Sequence, residues 1–168
     1  MFSFFTIKAK NTKEKVLLEI DELEKVLKLS KKLTNKQIGR LAKYLRKHPP
    51  AERYNLISAD IQQALATDET IPSDFNVESI QVEMMIANFR AREMVSREKS
   101  KKVGITHVSI VFQPEFEYCK TAQEYRKKYD GKIVRMKDAP IFPLITCYNC
   151  NNCTRFVYVK RLVRGVDY

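Results

Sequence analysis

"KKVGITHVSIVFQP", residues 101–114, is where the pattern of this chain changes. Before it, apolar residues recur at spacings of three and four; after Gly104 comes a β-branched, strand-like run that Pro114 closes. A helical pattern that hands over to a strand pattern predicts an α+β chain. The expected layout is a basic helical region over residues 1–103, with about four helices, followed by a small antiparallel sheet over 104–168 that carries a cysteine turn. The boundary near Val103 is soft, because the last N-terminal helix can pack across the sheet and make one continuous domain.

Upstream of the change, Asn11 and Glu14 form a capping pair for a first helix with apolar positions Val16, Ile20, Leu23, Val26 and Leu27. Thr34 and Gln37 repeat that signal for a second helix, which Pro49 and Pro50 end. A third is expected from about Ala51, burying Tyr54, Ile57, Ile61 and Leu65, and the turn-rich "ATDETIPSD" follows it. The fourth starts near Asn76 and places Val77, Ile80, Met84, Ala87, Ala91 and Met94 along one stripe. Downstream, "TAQEYRKKY" reads as a short helix with a Thr121–Glu124 start signal, stopped by the Asp130–Gly131 turn. "KIVRM", "IFPLITC" and "RFVYVKRLV" read as three further strands.

A hydrophobic content of 44% over 168 residues, with four Gly and six Pro, describes a globular chain rather than a disordered or fibrous one. No apolar run matches a bilayer crossing, and Met1–Phe5 is too short for a signal-peptide core and has no basic residue before it. An intracellular location, cytoplasmic or nuclear, is therefore expected. In that reducing setting cysteines bind metal more often than they form disulfides.

Three of the four cysteines, Cys147, Cys150 and Cys153, form a C-x2-C-x2-C cluster between two expected strands. A C-x2-C turn lets two thiolates face one ion while the backbone folds into a knuckle, so the triplet points to a structural zinc. The fourth ligand is Cys119, with His107 as the alternative; His48 lies far off on a lysine-rich helix. Buried cysteine behaves as a small hydrophobe, a reading that suits Cys119. It suits the triplet poorly, because Asn149, Asn151 and Asn152 would be buried with it. Plain thiols and a disulfide are the other readings. An iron–sulfur cluster is disfavoured by the absence of a closely following fourth cysteine, and a thioredoxin-like redox site by the absence of a following helix. Four protein ligands fill the zinc shell, so the site reads as a clamp and not as a catalytic centre.

The net charge of +11 is distributed in blocks. Residues 25–51 hold nine Lys or Arg and no acid; 52–89 hold one Arg against seven acids; 90–102 hold six bases and two acids. On the second helix, at about 100° per residue, Lys36, Arg40, Lys43 and Lys47 fall within roughly 60° of each other, opposite Ile38, Leu41, Ala42 and Leu45. Lys32 extends this row. A second cluster is Arg90, Arg92, Arg97, Lys99, Lys101 and Lys102, and a third lies on the last strand with Arg155, Lys160, Arg161 and Arg164. Tyr148 and Tyr158 stand beside that strand as stacking candidates, whereas Phe156 reads better as core. The plain alternatives are a solvated lysine face, or neutralisation of the row by the acidic 52–89 stretch.

Many non-directional cations suit a phosphate backbone, and no duplex-reading motif is present. The favoured expectation is a zinc-stabilised, non-enzymatic nucleic-acid-binding protein, RNA favoured over DNA, with protein partners in a ribonucleoprotein or as a viral accessory protein. One alternative is a structural, matrix-type protein that sets the basic face on an anionic membrane, with Met1–Phe5 as its one apolar wedge. The other is a metal-dependent nuclease using Glu115, Glu117 and His107, which lack a recognisable catalytic spacing.

Overall fold

The structure, a computed structural model, describes residues 3–47, 77–112, 117–147 and 157–163. These combine helices with a small antiparallel sheet. The chain divides into two compact units, Met1–Ala91 and Arg92–Tyr168. The dividing line falls inside a helix, upstream of the pattern change at residue 103.

Unit 1 is helical. Helix α1 spans Ser3–Ser30, and its Val16, Ile20, Leu23 and Leu27 are buried at steps of three and four. The helix already runs through Asn11, which was expected at its start; asparagine inside a helix costs only about 0.7 kcal/mol or less, too little to stop it. It closes where Lys31 takes a left-handed backbone (φ 57°) and donates its N–H to the Leu27 carbonyl at 3.1 Å. Helix α2, Asn35–Lys47, begins at a reciprocal cap. The Thr34 N–H donates to Gln37 Oε1 at 2.8 Å, and the Gln37 N–H donates to Thr34 Oγ1 at 3.3 Å. After a 3-10 turn over Val77–Ile80, helix α3 spans Gln81–Lys102. Ile80, Met84 and Ala87 of this stripe close one apolar core with α1 and with Ile38, Leu41, Ala42 and Leu45 of α2. Pro49, Pro50 and the third helix expected from Ala51 lie outside the described residues.

Unit 2 carries the sheet. Gly104, at φ 82°, turns the chain from α3 into β1, Ile105–Phe112. Strand β1 pairs antiparallel with β2, Ile133–Arg135, on one side and with β3, Val157–Val163, on the other. Val108, Ile110 and Phe112 alternate onto the buried face, where they meet Ala122 of helix α4, Lys120–Tyr129, and Tyr118, Met136, Phe142 and Leu144. The N-cap of α4 is Cys119, whose carbonyl accepts the Gln123 N–H at 2.9 Å, so Thr121 sits within the first turn instead of starting it. At the other end, the Asp130 carboxylate accepts the Phe112 N–H at 2.9 Å and Gly131 takes φ 70°.

"IFPLITC" is not a strand. Pro140 and Pro143 supply no N–H to a ladder, and the segment instead runs irregularly through a cis Phe142–Pro143 bond to a 3-10 turn at Ile145–Cys147. Among the described residues, no helix is long and apolar enough to cross a membrane.

Candidate functional site

The amphipathic geometry expected of α2 is present. Ile38, Leu41, Ala42 and Leu45 are buried, while Lys36, Arg40, Lys43 and Lys47 are exposed on the other side. Cations four residues apart repel by roughly 0.2–0.5 kcal/mol per pair, so the row weakens the helix unless an anion meets it. Among the described residues Lys36, Lys43 and Lys47 form no ion pair with a carboxylate. Glu19, Asp21, Glu22 and Glu24 of α1 are directed elsewhere. Arg46, on the flank of the same helix, reaches Asp21 at 2.7 Å and Glu24 at 2.9 Å, and these two contacts raise its pKa.

Several other candidate cations have structural duties. Lys32 donates to the Ser79 carbonyl and sits 2.8 Å from Oε1 and 3.1 Å from Oε2 of Glu83, a carboxylate with no solvent exposure. The approach to Oε1 is not aligned as a hydrogen bond, so the pair there is electrostatic. Arg90 lies 2.5 Å from Oε2 of buried Glu22, which also takes Lys25 at 2.7 Å. Arg97 is inside unit 2: its guanidinium donates to the carbonyls of Met136 (3.1 Å), Ala139 (2.8 Å) and Pro140 (2.6 Å) and to Glu93 Oε1 (2.9 Å). Charge count alone placed these three on a binding face, and burial removes Arg97 from it. Arg92, Lys99, Lys101 and Lys102 remain exposed, with Lys101 paired to Glu98.

Cys119 and Cys147 are brought together, with their sulfurs 3.7 Å apart and no disulfide between them. This is the distance of a thiol–thiol hydrogen bond, in which either sulfur can donate, and it is also close to the roughly 3.8 Å that Zn–S bonds of about 2.3 Å at tetrahedral angles set between neighbouring sulfurs. A disulfide would need about 2.05 Å. Cys150 and Cys153 lie outside the described residues, and among the described ones no three His, Cys, Asp or Glu side chains converge. Cys147 packs in the cluster under Val108, Ile110 and Phe112; His107 occupies the alternate position of β1, on the other face. The structure thus brings Cys119 beside Cys147 and sets His107 on the opposite face of β1.

Lys160, Arg161 and Tyr158 fall on β3, opposite Ser109, Val108 and Val111 in register. Arg155, Arg164, Tyr148, Phe156 and Glu115 lie outside the described residues, and Glu117 is exposed. Arg135 and Lys137, exposed on β2 and the turn after it, are cations that sequence reasoning passed over. Their only signal is the alternation in "KIVRMK", which reads as a strand before it reads as a site. Comparison with known protein families, with curated proteins and with solved structures finds no match to this chain.

Proposed function

We propose that this chain is a zinc-stabilised, non-enzymatic protein that binds the phosphate backbone of nucleic acid, RNA in preference to DNA. The observation that carries the reading is the exposed row Lys36, Arg40, Lys43 and Lys47 on a helix whose opposite side is locked into the core. Such a row, three of whose members have no carboxylate partner among the described residues, is favourable beside a polyanion. Arg92 and Lys99, seven residues apart and so on one face of α3, offer the same chemistry. The zinc is assigned to Cys119, Cys147, Cys150 and Cys153; the 3.7 Å separation of the first two supports it. It would clamp a sheet too small to be stable on its own packing.

Changing Lys43 and Lys47 together to Gln tests the row. Binding to unrelated RNA sequences should weaken uniformly, and the slope of log affinity against log salt should flatten by about two. Unchanged RNA binding, with loss of binding to anionic vesicles, would move the face to a membrane. Native mass spectrometry of the protein purified from cells would report zinc and co-purifying nucleic acid together.

A further inference from the structure

In unit 2, the β1–β2 ladder, the turn after β2 and the last turn of α3 border an open cleft of about 400 Å³. Lys101, Arg135 and Lys137 line it together with His107 and Thr106, and Ile105 and Met136 give it an apolar side. The strand register explains the gathering. His107 and Arg135 are directly opposed across the ladder, so both leave the sheet on one face, with Cβ atoms about 5 Å apart. The Met136 N–H donates to the Thr106 carbonyl at 2.8 Å, which fixes the turn that carries Lys137. Thr106 Oγ1 lies 2.8 Å from His107 Nδ1, leaving Nε2 as the ring nitrogen available to a ligand.

Among the described residues, no carboxylate lines the cleft. Lys101 has an ion pair with Glu98, both side chains more than half exposed, while Arg135 and Lys137 form none among the described residues. Like charges gathered around a concave surface repel unless an anion joins them. The volume lies in the small-molecule range of about 300–1,000 Å³, more than an inorganic anion fills. An arginine fork and two lysine point charges suit a phosphate, and the Ile105–Met136 side suits an uncharged body attached to it.

We propose that this cleft binds an organic phosphate monoester of mononucleotide size. The site is separate from the α2 row in residues and in ligand, so it does not depend on the polynucleotide reading.

Calorimetric titration of the full chain with AMP, adenosine, inorganic phosphate and glycerol 3-phosphate tests it, with no polynucleotide present. AMP should bind, and the other three should each bind at least tenfold more weakly. Arg135→Gln should weaken AMP at least tenfold and Arg135→Lys should restore only part, because lysine lacks the fork. Lys137→Gln, on an exposed turn that tolerates the change, should weaken AMP severalfold and keeps the test open if Arg135→Gln does not fold. Lys127→Gln, on the exposed side of α4, should bind as the parent does. Adenosine binding as tightly as AMP, glycerol 3-phosphate binding as tightly as AMP, or parental affinity in both Arg135→Gln and Lys137→Gln would overturn the assignment.

Discussion

Arg97 is 5% exposed and satisfies three backbone carbonyls that have few other donors to turn to once water is excluded. Arg97→Met keeps the apolar stem and removes the donors, so it should cost about 3–5 kcal/mol and lower the melting temperature accordingly. Arg97→Lys should recover less than half of that loss, since an ammonium carries its three donors on one nitrogen and cannot span acceptors that the guanidinium reaches from three. Glu22 gives the complementary case in unit 1. Burial pushes its carboxyl up, but the hydrogen bonds and charges of Lys25 and Arg90 outweigh burial and hold it below the ordinary value of 4.5. A depressed folded-state pKa adds stability that is complete above pH 4.5 and is lost as pH falls through the folded value. Acid titration of the melting temperature should therefore fall below that pH, and Glu22→Gln should flatten the fall while lowering stability at pH 7. Neither role is legible from residue type. The spacing of Glu93 and Arg97 also occurs on any solvated helix, and burial is what separates the two situations.

Helix α2 owes its start to two side chains. Thr34→Ala removes the acceptor of the Gln37 N–H, and should cost about 1 kcal/mol in chemical denaturation. This element was readable because cap, apolar period and charge row agree with one another, and β1 was readable because eight residues of β-branched pattern lie between Gly104 and Pro114. The misread elements share a cause. Asn11 and Thr121 have capping chemistry, but a cap works only where the chain outside is not already helical, and neighbouring packing decides that. "IFPLITC" has strand composition, yet its proline pattern denies it a ladder, and the apolar side chains are used by the core instead, with Phe142 and Leu144 buried. Of the candidate site, the α2 row was legible for the same reason as the helix. For Cys147 the sequence named Cys119 as a companion on ligand chemistry alone, with His107 as the alternative; the geometry that sets the two sulfurs 3.7 Å apart was not legible, because it arises from the packing of two irregular segments that share no period.

At the scale of the whole molecule, the two units have separate apolar clusters and unequal means of support. Unit 1 is held by a long helix, a capped helix and buried ion pairs. Unit 2 has a sheet with a three-residue strand at one edge and, on the zinc reading, a metal clamp beside its core. Removal of zinc by a strong chelator should therefore abolish hydrogen-exchange protection in β1 and α4 while leaving α1 and α2 protected. Cys147→Ser should act as the chelator does. Equal loss in both units, or none, would argue against the clamp. The position of the dividing line has a consequence for descent as well. A recombination event that cut the gene where the pattern changes, before Ile105, would strand Arg97 on the wrong piece and deliver a sheet whose Met136, Ala139 and Pro140 carbonyls lack their donor. A cut near residue 92 would transmit the donor with its acceptors. The piece that keeps Arg97 with its acceptors is thus half a helix plus a sheet, and its edge is invisible to any reading that looks for a linker.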